Sequence, residues 1–482
     1  MKDTSTCDAR STDGLSATRS IVLCFDGTSN HFSERNTNVV KLVELLSKND
    51  PSTQMVYYQT GVGTYSHPGF WTSITEVIAK KADEAVAWYL YQHVIDGYRF
   101  IMESYREGDE ISIFGFSRGA YTARALAGML HAVGILPKHN LEHIPFAYQV
   151  YAGKISAQQS REWRPTGDAG LGESQEGLLG ALNIEKNEHD RERSSSNPDE
   201  VNPKSYKMTF CTPVKISFLG VWDTVGSVGA LKRETLPWIE YNPSVIHFRH
   251  ALALDEFRGH FIPSIWDHGR SVRGSQTAVE VWFRGSHSDV GGGSPLTDRA
   301  RRNPVSRFWD KVFIRIYSLF GKRAFPFPRW VVGRGRLPDM SNISFRWMMN
   351  QCISTPNVRI RLDASSLARY EKAGILAPPI GRSGHTPLGR ALDTYDSTKE
   401  PYEATEDSPW WWLMEVLPLP KPSQRNVDRS VVETTYWPNL KAGRRIGNQP
   451  VDQIFLHRSA HELQQSGYRY RAKFKNTPQV RD

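Results

Sequence analysis

Three residues of the chain have the types and surroundings needed for nucleophilic chemistry. They are Ser117 within Gly115-Phe116-Ser117-Arg118-Gly119, Asp223 directly after SFLGVW, and His287 just past VEVWFRG. A serine hydroxyl is a poor nucleophile at neutral pH and needs a neighbouring base to take its proton. In a GxSxG elbow the serine sits on a sharp strand-to-helix turn that lifts its oxygen clear of a sheet. Glycines on either side allow the close backbone approach of such a turn. ISIF before the pentapeptide reads as a strand and the alanine-rich run after it as a helix, which is the context the elbow requires. Without that context, a serine capping a helix is the ordinary alternative.

In a triad, Asp223 would accept the Nδ1 proton of His287 and leave Nε2 facing Ser117. The chain order Ser117, Asp223, His287 is the one expected of α/β hydrolases. The plainer alternatives are an Asp223 that caps a turn and a His287 that satisfies buried polar groups. Asp289 is a competing carboxylate and ranks below Asp223, because it can instead pair with Arg118 or cap the GGG turn. An oxyanion needs donors. The Arg118 N–H is the first candidate, and Gly27 or Thr28 in FDGTSN is the second. Asp26 is expected to brace that loop, since an anion beside the oxyanion would oppose it. Asp26, Asp223, His287 and Asp289 would also make a mixed oxygen and nitrogen metal cluster. That reading leaves GFSRG unexplained, so no metal and no cofactor is expected. GTSN and DVGGG match neither GxxxxGK[ST] nor GxGxxG, so nucleotide binding is not expected.

These residues need strands that end at one edge of a sheet. IVLCFDGTSN (21–30) and MVYYQTGVGT (55–64) read as strands ended by glycine-containing loops, with a helix-compatible stretch at 38–48 between them. Residues 72–105 carry a helical stripe of Ile78, Ala82, Val86, Tyr89 and Leu90, with Gly97 as a break. VKISFLGVWDTVGSVG (214–229) and AVEVWFRGSHSDVGGG (278–293) repeat the strand-then-loop pattern, whereas HFRHALALDEFRGHFIP (247–263) begins like a helix. Active-site groups of open parallel sheets gather at the carboxyl ends of strands. The fold class expected is therefore α/β: an α/β-hydrolase-like, mostly parallel central sheet flanked by helices, with insertions. A catalytic domain over 20–375 follows a disordered polar tail at 1–19 and carries a polar insertion at about 153–208. A C-terminal extension, 376–482, packs on it.

Composition narrows the class further. The chain has 482 residues, 39% of them hydrophobic and 23% charged, which suits a globular protein rather than a disordered or fibrous one. Its formal charge of +9 fits either a solvated basic face or attraction to an anionic lipid surface. With no zinc-finger spacing and no arginine-rich block, nucleic acid is not an expected partner. Cys7, Cys24, Cys211 and Cys352 are widely spaced and form no CxxC element, which fits a reducing compartment. The first twenty residues contain no apolar signal core, and no apolar run approaches 18 residues, so a cytoplasmic protein with at most peripheral membrane contact is expected.

The blocks FDGTSNHFSERNTNV, YYQTGVGT, GFSRGAYTARALAGML, FLGVWDTVGSVG, HALALDEFRGHFIP and WFRGSHSDVGGG span most of residues 20–295, and FRWMMNQC at 345–352 adds a later match. Together they resemble the uncharacterised α/β-hydrolase family known as DUF2235 or Tle1-like, whose members include bacterial type VI secretion phospholipase effectors. The resemblance places the family's nucleophile on Ser117, its acid on Asp223 and its histidine on His287. It also implies a lipid or phospholipid ester as substrate. A soluble small-molecule esterase or thioesterase is the runner-up, and a noncatalytic interaction protein that keeps the fold is the alternative from another class. Aromatic segments around Trp309 to Trp330 and Trp410 to Trp412 would line an acyl groove, dip into a membrane interface, or belong to the core.

Overall fold

The computed structural model describes residues 18–27, 36–61, 76–153, 201–226, 236–259, 261–271, 274–294, 336–380, 386–403, 442–446, 454–470, 472–476 and 478–482. Residues 1–17 of the amino-terminal tail, most of the polar insertion, Thr28 and both tryptophan-rich segments lie outside these residues, whereas Arg19, placed in the tail by the sequence, is buried and paired with Asp109.

The chain builds an α/β fold on one eight-stranded sheet in which every neighbouring pair runs parallel. Strands β1 (Ser20–Phe25), β2 (Gln54–Gln59), β3 (Glu110–Phe116), β4 (Ile216–Trp222), β5 (Val245–Ala253) and β6 (Thr277–Phe283) are joined near the carboxyl end by β8 (Ile454–His457) and β10 (Gln479–Arg481). The order across the sheet is β10-β8-β6-β5-β4-β3-β1-β2. A separate short pair joins β7 (Arg445–Ile446) to β9 (Lys473–Phe474). The segment read as an extension thus contributes two strands to the main sheet.

β1 shows why the sheet is covered on both faces. All six of its residues are buried. Ile21, Leu23 and Phe25 pack with α2 (Glu76–Ser104) and α3 (Arg118–Val133), whereas Val22 and Cys24 pack on the other face with α1 (Asn38–Leu45). Alternate residues of a strand point to opposite faces, so a strand buried on both sides reads as a continuous apolar run. Thr37 caps α1 by accepting from the Val40 N–H at 3.2 Å.

Three local readings change. HFRHALALD does not begin a helix, because Val245–Ala253 is a strand lying between β4 and β6. Short apolar runs carry too little periodicity to separate the two states, and pairing on both sides decides it. Gly97 does not break α2, which runs through it from Glu76 to Ser104. It is a point of close packing instead: a Cβ there would lie 2.8 Å from the Phe25 ring and 3.0 Å from Leu126. Within the polar stretch, Pro203–Phe210 is a helix, with Asn202 accepting from the Lys204 N–H and Pro203 in its first turn.

After β1 and β2 are laid to one side, the chain returns to place β3 on the other side of β1. The loops leaving β1 and β3 therefore diverge at a switch in strand order, where open α/β sheets form a crevice. Among the described residues no helix is long and apolar enough to cross a membrane.

Candidate active site

Ser117 occupies the single step between β3 and α3, with φ 58° and ψ −125°. A positive φ in a residue with a Cβ is a strained state that the surroundings must hold. They hold it through backbone: the Ser117 N–H donates to the Trp222 carbonyl at 3.0 Å, and its own carbonyl accepts from the Tyr121 N–H at 3.3 Å. The glycines do the rest. A Cβ on Gly115 would lie 2.5 Å from the Gly119 carbonyl oxygen, and one on Gly119 would lie 2.4 Å from those of Phe25 and Asp26. The first turn of α3 therefore sits against the end of β1. Although Ser117 is the N-cap residue, its side chain makes no capping bond.

The hydroxyl faces His287 instead. Ser117 Oγ and His287 Nε2 are 2.7 Å apart, and His287 Nδ1 lies 2.6 Å from Asp223 Oδ2. The carboxylate can only accept, so Nδ1 carries the proton and Nε2 is left as acceptor for the hydroxyl. His287 begins the short helix Ser286 caps, with Asp289 returning a bond to the Ser286 N–H at 3.1 Å. Its ring is held between two aromatic rings, Phe116 at 4.7 Å and Phe261 at 5.0 Å between centroids. Gly291 makes room for the first, since a Cβ there would lie 1.8 Å from the Phe116 ring. The His287 N–H donates to Glu256 Oε2 at 3.2 Å, and Glu256 is paired with Arg258 at 2.8 Å.

Asp223 is fully buried and also has a positive φ, 40°. Its Oδ1 accepts from the Ala253 N–H at 3.0 Å, and a fork from Arg444 reaches both oxygens, Nη1 to Oδ1 at 2.7 Å and Nη2 to Oδ2 at 2.8 Å. Burial pushes the carboxyl up, but Arg444 and His287 hold it far below the usual carboxylate range. For His287, burial pushes the imidazole below its ordinary value and outweighs the upward pull of Asp223. Beneath Asp223, the Thr224 N–H donates to His250 Nε2 at 3.0 Å, and His250 Nδ1 in turn donates to Glu280 at 2.8 Å.

The remaining sequence candidates fall elsewhere. Asp289 does not pair with Arg118. Its carboxylate accepts from Lys399 Nζ at 3.0 Å, the Tyr402 N–H at 2.7 Å and the Ser286 hydroxyl at 3.0 Å, all buried or part-buried contacts. Asp26 accepts from Thr37 Oγ1 at 2.8 Å, Tyr58 at 3.0 Å and the Gly27 N–H at 2.7 Å. Burial raises its carboxyl pKa. The Gly27 amide is thus turned onto its neighbour rather than toward Ser117, and Thr28 lies outside the described residues. Arg118 is the first residue of α3, where backbone N–H groups have no partner within the helix. Burial alone lowers its guanidinium pKa, to about 10. Asp26 and Asp289 each have their own donors, so the four residues considered for a metal do not converge. Among the described residues no group of three His, Cys, Asp or Glu side chains is arranged to hold one.

Sequence reading missed Glu256, although it lies in the HALALDEFRGHFIP block, and had no means of finding Arg444. KAGRRIG carries no motif, and its distance along the chain from Asp223 is bridged only by the fold.

A wholly parallel sheet that presents a serine elbow at its carboxyl edge, with a histidine and an aspartate in line behind it, defines an α/β-hydrolase-like protein. The family model described as "T6SS, Phospholipase effector Tle1-like, catalytic domain" matches residues 19–351. The chain belongs to this Tle1-like family. It is similar to the uncharacterized protein YEL023C of Saccharomyces cerevisiae, at 34% identity over 257 residues, which is 51% of this chain and 32% of that protein. The chain thus matches about a third of the length of this relative. Two solved structures also align. An uncharacterized protein from Pseudomonas aeruginosa does so at 16% identity and TM-score 0.32, over 80% of this chain and 51% of the other. The Tle1 effector bound to the VgrG spike of the Type 6 secretion system does so at 16% identity and TM-score 0.35, over 83% of each chain.

Proposed function

We propose that the protein is a serine hydrolase that cleaves the carboxylic esters of lipids or phospholipids through an acyl-enzyme. The observation that carries this reading is the pair of contacts on His287, 2.7 Å to Ser117 Oγ and 2.6 Å to Asp223 Oδ2. Geometry of this kind turns an inert hydroxyl into a nucleophile. In the first half-reaction Ser117 Oγ attacks the ester carbonyl carbon while His287 Nε2 takes its proton, and Asp223 stabilises the imidazolium that forms. The negative charge moves to the carbonyl oxygen, where the Arg118 N–H at the start of α3 is one donor and the Thr28 N–H is proposed as the other. The tetrahedral adduct collapses, His287 returns the proton to the departing alcohol, and the acyl group stays on Ser117. Water then attacks the acyl carbon, gives its proton to His287, and the carboxylic acid leaves as Ser117 recovers its hydrogen. No metal or cofactor takes part in these steps.

The lipid character of the substrate rests on the family's description as phospholipase effectors and on the net charge of +9, which would draw the protein to anionic headgroups. A fluorophosphonate that labels the wild-type chain at Ser117 separates an enzyme from a noncatalytic relative. Long-chain phospholipid in anionic vesicles is expected to be hydrolysed at least about tenfold faster than a soluble short-chain ester, since each methylene in an apolar acyl pocket is worth about 1–3 kcal/mol. Co-sedimentation with those vesicles should weaken in salt. Preference for the short ester with no vesicle binding would replace the lipase reading by that of a small-molecule esterase.

The pH profile offers a second check. Only neutral His287 can take the serine proton, so kcat/KM falls as pH drops through the pKa of this ring. Because burial holds that pKa below the ordinary 6.5, the acid limb is expected below pH 6.5. A limb well above that value would contradict the assignment of His287 as base.

A further inference from the structure

We propose that Arg444 is a positioning residue for His287, acting through Asp223: it fixes the plane of the carboxylate and keeps it from drawing the proton-accepting ring toward its charged form. The catalytic consequence rests on the serine-hydrolase reading above, whereas the consequence for the ring itself does not. Arg444 lies beyond residue 351, where the family match ends, so the family match places no role on it.

The geometry is that of a clamp. A guanidinium is planar and presents its donors in a fixed fork that matches a carboxylate. Here the fork takes both oxygens of Asp223, at 2.7 and 2.8 Å, and neither side chain is open to water: Arg444 is 7% exposed and Asp223 0%. The same two nitrogens donate again, Nη1 to the Ala253 carbonyl at 2.7 Å and Nη2 to that of Phe261 at 2.6 Å. One side chain therefore joins the end of β4, the end of β5 and the loop whose Phe261 ring stands edge-on to His287. Arg444 is itself held from behind, since its carbonyl accepts from the Lys473 N–H at 2.8 Å where β7 meets β9.

Its charge has a second effect. A buried carboxylate whose sole cationic partner were His287 would favour the imidazolium strongly, and the ring would stay protonated to higher pH. With Arg444 in place, Asp223 is already neutralised, so it orients the ring while exerting less pull on its proton. The other charged groups around the ring are Glu256 and Arg258, both in the loop after β5 and paired with each other, so their influences oppose. Below Asp223 lie His250 on β5 and Glu280 on β6, linked to it through the Thr224 N–H. Arg444 is the cation that bears on Asp223 from the carboxyl-terminal part of the chain.

The test uses the full chain with Arg444→Gln and Arg444→Lys. The readouts are the pKa of the His287 ring, from an NMR pH titration of the resting protein, and the rate of fluorophosphonate labelling of Ser117 across pH. In Arg444→Gln the ring pKa is expected to rise by about one unit or more, with the acid limb of labelling moving up by the same amount. In Arg444→Lys, which keeps the charge without the fork, the pKa should stay within about half a unit of wild type while labelling slows at least about tenfold. An unchanged ring pKa in folded Arg444→Gln, or a uniform loss of labelling at every pH with no shift of the limb, overturns the proposal. If Arg444→Gln does not fold, Arg444→Lys decides: unaltered labelling overturns it. A wild-type chain that the fluorophosphonate leaves unlabelled would sink the serine-hydrolase reading instead, and the ring titration would still judge Arg444.

Discussion

Replacing Ser117 by alanine is expected to lower ester turnover by about 10⁶-fold, as removal of the nucleophile does when the remaining groups act only as a unit with it. The fold should survive. The Ser117 side chain makes no capping bond to α3, and its backbone bonds to Trp222 and Tyr121 do not involve the hydroxyl. Alanine bears the same positive φ at no greater cost than serine. Turnover of the purified variant, set beside its circular dichroism and thermal midpoint, checks this. A correctly folded Ser117→Ala protein with turnover within tenfold of wild type would end the serine mechanism.

Asp223→Asn is expected to cost about 10⁴-fold in kcat, because an amide can present its N–H to His287 and favour the wrong tautomer. This change should also weaken the fold, unlike that at Ser117. The Arg444 guanidinium would keep its buried position while losing its counter-charge, and breaking a buried pair on one side costs about 3–5 kcal/mol. Asp289→Asn is the informative control. Asp289 is fully buried too, but it serves Lys399, Tyr402 and the cap of the His287 helix rather than the ring. Its loss should appear in the thermal midpoint, with the rate per folded molecule falling far less than in Asp223→Asn. Rates measured for both variants well below their melting transitions test the ranking. Selective collapse of the rate in Asp289→Asn would transfer the role of the acid to it.

How far the chain can be read without its structure depends on how local each cue is. GFSRG is local: a strand pattern, a turn and a helix pattern meet within a few residues, and the elbow stands at that junction with φ 58° at Ser117. Asp223 and His287 could be placed at strand ends because SFLGVW and VEVWF are buried runs that stop abruptly. The hydrogen bonds that join them depend on β3, β4 and β6 running in parallel with β5 between the last two, which no local pattern states. The β5 segment was ambiguous for the same reason, since its strand state is set by neighbours on both sides. Gly27 shows the finer limit. The sequence puts its amide near the elbow, but whether that amide faces outward or turns back onto Asp26 depends on Thr37 and Tyr58 fixing the carboxylate. Arg444 was beyond reach altogether, because one of two adjacent arginines in KAGRRIG resembles any surface cation until the fold buries it.

The order of strands across the sheet also sets a schedule for synthesis. β3 and its elbow emerge early, whereas β8, which covers the edge of β6, and Arg444, which meets Asp223, come from the last part of the chain. At about 5–20 residues per second, a ribosome needs roughly half a minute between Ser117 and Arg444. From the time it is made until β8 follows, β6 has an unpaired edge, of the kind that recruits foreign strands, and from its own synthesis until that of Arg444, Asp223 lacks its fork. A nascent chain would thus carry its serine long before the surroundings of that serine were complete, and maturation of the site would wait for the carboxyl-terminal strands to dock.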